Sequence, residues 1–142
     1  MGERLKDKVV IITGGTSGIG RGSVDLFLSE GAKVVVGDVQ DHRGEEMTLS
    51  LGEDFAYIHT DVSRETDVKA MVDLAVERFG RLDCIFNNAG FGGVGGALEE
   101  IDMDGFDQSV AVLLKGVFLG YKYAVPQMKK QGTGSIISTA SV

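Results

Sequence analysis

The feature that most constrains this chain is the run Val9-Val10-Ile11-Ile12 leading directly into Thr13-Gly14-Gly15-Thr16-Ser17-Gly18-Ile19-Gly20. Four β-branched residues in a row leave no polar face, so such a strand must be covered on both sides, as in a parallel sheet flanked by helices. Beyond the glycines, Val24, Phe27 and Leu28 fall at helical spacing and Gly31 follows as a stop. Glycines between a buried strand and a helix let backbone N–H groups approach a ligand, and the positive end of the helix favours an anion there. Taken alone the cluster is equally a tight strand-to-helix turn. Glycine is abundant throughout, 21 of 142 residues, about twice the usual share of ~7%.

The buried-strand pattern returns at Val34-Val35-Val36 and at Leu82-Asp83-Cys84-Ile85-Phe86, with further candidates at residues 55–60 and 135–138. Between them the clearest helix covers residues 64–79, where Val68, Met71, Val72, Ala75 and Phe79 share a face. Ser63 is expected to cap its start, Glu65 and Asp67 suit its positive end, and Gly80 ends it. The longest helix is expected over residues 103–131, carrying Phe106, Val110, Leu113, Leu114, Val117, Phe118, Tyr121, Val125 and Met128. Pro126 should bend it, because its missing N–H would have bonded back to Lys122. Lys129-Lys130 is a charge pair suited to that helix's C-terminus.

Strands alternating with helices imply right-handed crossovers and an α/β fold, a doubly wound parallel sheet of Rossmann-like type. Five strands with their crossovers use every residue to Val142. The expectation is a single dinucleotide-binding domain over 1–142, truncated after its fifth strand. No repeat or linker interrupts it.

Fourteen basic against 21 acidic residues give a net charge of −7, which argues against nucleic acid or an anionic membrane as partner. No apolar run reaches the 18 or so residues a membrane span needs. Cys84 is the only cysteine, and His42 and His59 stand apart without a Cys/His cluster, so no metal site is expected. Cys84 reads as a small buried hydrophobe. With no apolar signal-peptide core at the start, a cytoplasmic protein is expected.

Asp38 ends the second strand pattern, 18 residues beyond Gly20, near the ~20-residue spacing at which an acid accepts hydrogen bonds from an adenosine ribose. It would repel a 2′-phosphate, and neither Ser17 nor Val39 beside it is basic. NAD(H) is therefore favoured over NADP(H). An exposed aspartate at a strand end is the plain alternative.

Three motifs in register, Thr13 to Gly20, Asp61-Val62 and Asn87-Asn88-Ala89-Gly90, resemble the classical short-chain dehydrogenase/reductase family. The resemblance implies an oxidoreductase that passes hydride between NAD(H) and a small-molecule alcohol or carbonyl. It implies that Gly14, Gly18 and Gly20, with Thr16, Ser17 and Ile19 between them, hold the pyrophosphate. Asp61 and Val62 would meet the adenine, and Asn88, Ala89 and Gly90 would line the pocket and steady the sheet. Read singly, Asp61 and Asn87-Asn88 are ordinary turn residues.

The segment Gly134-Ser135-Ile136-Ile137-Ser138-Thr139-Ala140-Ser141-Val142 is similar to the family's fifth strand and places its catalytic serine at Ser141. Its hydroxyl would stabilise charge developing on the substrate oxygen. Two departures accompany this. The family's Tyr-x-x-x-Lys acid/base pair is absent, since Tyr57, Tyr121 and Tyr123 are followed four residues on by Asp61, Val125 and Gln127. Leu113 stands where the family has an asparagine, and its own reading is core packing. The 142 residues alone are accordingly expected to be inactive, and the alternative function is a catalytically inactive NAD-binding or assembly module. The family packs its long helix against a symmetry mate, so a homo-oligomer, dimer or tetramer, is expected.

Overall fold

A computed structural model describes residues 2–141; Val142, the last residue of the segment quoted above, lies outside them. The order is β1 (Val9–Thr13), α1 (Gly18–Ser29), β2 (Lys33–Asp38), α2 (Asp41–Leu51), β3 (Phe55–His59), α3 (Glu65–Phe79), β4 (Cys84–Asn87), α4 (Met103–Val110), α5 (Gly116–Gln131) and β5 (Ser135–Ser138). A 3-10 turn, Leu98–Glu100, precedes α4, and a π turn, Ala111–Lys115, joins α4 to α5. The five strands form one parallel sheet in the order β3-β2-β1-β4-β5.

The unbroken apolar run of β1 has the explanation its composition implies. All five residues are buried, and successive side chains serve two cores. Val9 and Ile11, with Val35, pack against Val68, Met71 and Ala75 of α3 and Leu119, Ala124 and Met128 of α5. Val10 and Ile12, with Val34 and Val36, pack against Val24 of α1 and Met47 of α2. A fully buried side chain of this size contributes about 1.5–3 kcal/mol, so β1 anchors both layers at once.

A buried charge beside the central strands is secured. Asp83, just before β4, accepts from the Val9 N–H at 3.0 Å and from Arg81 Nε and Nη2 at 2.7 and 2.6 Å. Burial pushes its carboxyl up, but Arg81 and the Val9 N–H outweigh that and hold it below the ordinary aspartate value. Cys84 beside it is partly buried, and burial pushes its thiol up.

Two local expectations need correction. Ser63 does not cap α3: the cap position is Arg64, and the Ser63 hydroxyl instead donates to Asp61 Oδ1 at 2.6 Å. The helix expected over residues 103–131 is interrupted upstream of Pro126, where the Gly116 N–H bonds back five residues to the Ala111 carbonyl. That wider turn inserts one residue into the helix. Gly116 then sits against the loop after β3, where a Cβ would lie 2.8 Å from Val62 Cγ2.

Candidate functional site

The carboxyl ends of β1, β2, β3, β4 and β5 open into one cleft of about 1110 Å3, ample for a dinucleotide by the usual size of ligand pockets. Parallel strands place all of their following loops at this end, which is why distant segments meet here.

At the first strand the chain turns sharply. Gly14 has φ +65° and Gly18 φ +53°, conformations that favour glycine, and a Cβ on Gly14 would lie 2.9 Å from Ala89 Cα. A Cβ on Gly20 would overlap the Gly14 carbonyl oxygen. Ser17 occupies the N-cap of α1 without a side-chain cap bond, and the first turn holds no acidic residue. The first turn of α1 thus supplies no anion of its own and faces a cleft lined by Gly14, Ser17 and Ile19. This fits a diphosphate, with donors supplied by backbone N–H groups.

Asp38 is not the exposed strand-end acid that its position alone allows. It is 7% exposed, and its carboxylate is fully engaged. Oδ2 accepts from the Thr16 N–H at 3.0 Å and the Thr16 hydroxyl at 2.7 Å, while Oδ1 accepts from the N–H groups of Val39 and Gln40 at 2.7 and 3.2 Å. A carboxylate offers about four lone-pair sites, so the side chain is fixed in place across the glycine turn. Gln40 Nε2 adds bonds to the hydroxyls of Thr16 at 3.0 Å and Ser17 at 3.3 Å.

After β3, Asp61 accepts from the N–H and hydroxyl of Ser63, and the hydroxyl above all holds its carboxyl below the usual range. Val62 beside it is buried against α5, and both line the cleft. After β4, Asn88 ties the two central strands together. Its Nδ2 donates to the Thr13 and Gly14 carbonyls at 3.1 and 3.3 Å, and its N–H and that of Ala89 both donate to the Thr13 hydroxyl at 3.0 Å. Asn88, Ala89 and Gly90 form the wall facing α1, and Thr139, Ala140 and Ser141, following β5, line the far end of the cleft with Leu113.

Every cofactor-binding or catalytic residue expected from the sequence borders this cleft or the turn that shapes it. No role in the site is expected from the sequence for the side chains of Thr13, Gln40 and Tyr57. Thr13 stands visibly at the strand end, but nothing local marks its hydroxyl as acceptor for two amides 75 and 76 residues away. Leu113 lies in the π turn, 44% exposed, with its methyls toward Gly90 and Gly93. It lines the cleft and is not the core residue its spacing suggests.

A family model described as short chain dehydrogenase matches residues 8–142. Momilactone A synthase of Oryza sativa subsp. japonica is 48% identical over 141 residues, covering 98% of this chain and 52% of that protein. Among solved structures, levodione reductase superposes with a TM-score of 0.90 at 39% identity, over 97% of this chain and 55% of that one. The 3-ketoacyl-(acyl-carrier-protein) reductase of Brucella melitensis, complexed with NADH, gives 0.91 at 35% identity, over 96% and 58%. The chain spans about half the length of the curated relatives it matches.

Proposed function

Because this chain belongs to the short-chain dehydrogenase family, we propose that its cleft binds NAD(H) and that the whole protein passes hydride between that cofactor and an alcohol or carbonyl group of a small molecule. One observation carries the reading: the uncapped N-terminus of α1, the buried carboxylate of Asp38 and the wall of Asn88, Ala89 and Gly90 follow one another along a single cleft. When bound, the cofactor supplies or accepts the hydride.

The chain's own residues do the rest. N–H groups of the turn from Gly14 through Thr16, Ser17, Gly18, Ile19 and Gly20 hold the pyrophosphate. A ribose hydroxyl donates to Asp38 in place of the Thr16 hydroxyl, and the same carboxylate repels a 2′-phosphate. Asp61 and Val62 border the adenine. Ser141 donates a hydrogen bond to the reacting oxygen of the substrate, stabilising charge as it develops there.

Titration of the protein with NADH and with NADPH tests the cofactor assignment. NADH is expected to bind more tightly, and equal or tighter binding of NADPH overturns it. A second reading rests on a specific observation: none of the three tyrosines lines the cleft, so no phenolic proton donor reaches it from these residues. By that reading the 142-residue chain binds the dinucleotide without turnover, and rapid NADH oxidation by it on any carbonyl substrate refutes it. The apolar stripe Phe106, Val110, Leu114, Phe118 and Tyr121, exposed along α4, the π turn and α5, is the surface through which the protein would form a homo-oligomer.

A further inference from the structure

Behind Asp38, on the side away from the glycine turn, lies a polar cluster that the cofactor-binding residues do not include. The Tyr57 hydroxyl, on β3, sits 2.8 Å from the Asp38 carbonyl and 2.6 Å from Asp41 Oδ1. His59 Nδ1 reaches the same Asp41 oxygen at 2.8 Å. The Asp38 carbonyl also accepts from the Thr60 N–H at 2.9 Å. The ring of Tyr57 lies directly beneath Gly44 of α2, where a Cβ would overlap it. Burial first, then the Asp41 carboxylate, pushes the phenol's pKa up, so it keeps its proton. Hydrogen bonds from Tyr57 and then His59 hold the Asp41 carboxyl low, so it stays an acceptor.

The geometry has one consequence for the cleft. Asp38 and Asp41 bracket the short turn whose Val39 and Gln40 N–H groups fix Asp38 Oδ1. The one phenol proton is shared between acceptors at the two ends of that turn, the Asp38 carbonyl and Asp41 Oδ1. We propose that Tyr57, braced by Asp41, is a positioning residue for recognition of the cofactor's adenosine ribose, acting through the Asp38–Asp41 turn. This rests on the assignment of Asp38 to the ribose made above.

The test compares NADH with reduced nicotinamide mononucleotide, which lacks the adenosine half, by equilibrium titration of the full chain and its variants. Tyr57→Phe keeps the ring under Gly44 and removes only the hydroxyl. It is expected to weaken NADH about fivefold, the worth of one hydrogen bond, and to leave the mononucleotide unchanged. Asp41→Asn is a second variant that leaves the ring and hydroxyl in place, and it should shift the same ratio in the same direction. Asp38→Asn should weaken NADH alone, and adding Tyr57→Phe to it should cost less than in the parent, because the phenol acts through that carboxylate. If both Tyr57→Phe and Asp41→Asn keep the parental ratio while Asp38→Asn lowers it, the positioning role is wrong and the ribose assignment stands. Equal loss of both ligands in both variants also overturns the role, since that reports general loosening. If Asp38→Asn itself leaves NADH unaffected, the ribose assignment and the inference fall together.

Discussion

At the scale of single residues, the site is built from backbone geometry more than from side-chain chemistry. Gly20 shows this most sharply, because the atom a Cβ would meet is the Gly14 carbonyl oxygen, which cannot swing aside as a side chain can. Gly20→Ala is expected to cost about 2 kcal/mol of stability and at least ~10-fold in NADH affinity, about 1.4 kcal/mol. Gly22→Ala, two residues along the same helix with open space around it, should instead stabilise by up to ~1 kcal/mol and leave binding alone. Thermal melts and NADH titrations of the pair separate the phosphate turn from general helix effects. The glycines and Asp38 were legible in the sequence because chain-local spacing defines them. The Tyr57 and Asp41 pair was not: 16 residues separate them, and only the parallel pairing of β2 with β3 brings them together.

Among elements, the strands were the easiest to read and the helices the hardest. β1 and β2 declare themselves through β-branched runs that only double burial explains, and β4 through a short apolar run. α2 offers a single buried hydrophobic anchor, Met47, too little to make a helical period visible. The stretch over residues 103–131 misled for the opposite reason: a π turn inserts one residue, yet spacings of three and four still fit on either side of it. No apolar pattern encodes the Gly116 bond to Ala111, which coincides with the close approach of that glycine to Val62. The junction of β1 and β4 yields a prediction about pH. The Asp83 carboxyl is held below its ordinary value in the fold, so its contribution is complete above the unfolded aspartate pKa of about 3.9 and is lost as pH falls through the lower folded value. Asp83→Asn should therefore destabilise by about 2 kcal/mol near neutrality, and the gap to the parent should begin to narrow only below about pH 4 in melts run across pH.

For the molecule as a whole, the parallel sheet covered on both faces followed from the alternation of strands and helices, whereas the strand order and the use of the surface did not. Phe118 at 64% and Leu114 at 66% exposure lie on the stripe assigned above to self-association, and exposed apolar area of this kind marks an interaction site. Light scattering behind a sizing column should find a dimer or larger, and Phe118→Glu should shift it toward monomer. A monodisperse monomer for the parent at micromolar concentration would remove the assignment. The family's relation of substrate to fold was the least legible part, because residues 89–98 contribute only apolar side chains and glycines before Glu99, and such residues specify little by hydrogen bonding.

The position of β1 between β2 and β4 also bears on how the protein comes into being. Of the five strands the most apolar is made before the others and gains one neighbour within a few tens of residues. Its other flank waits for residues 84–87, which at ~5–20 residues per second follow several seconds later. Throughout that interval the nascent chain carries an open hydrophobic edge, making β1 the segment a chaperone has most reason to shield during translation.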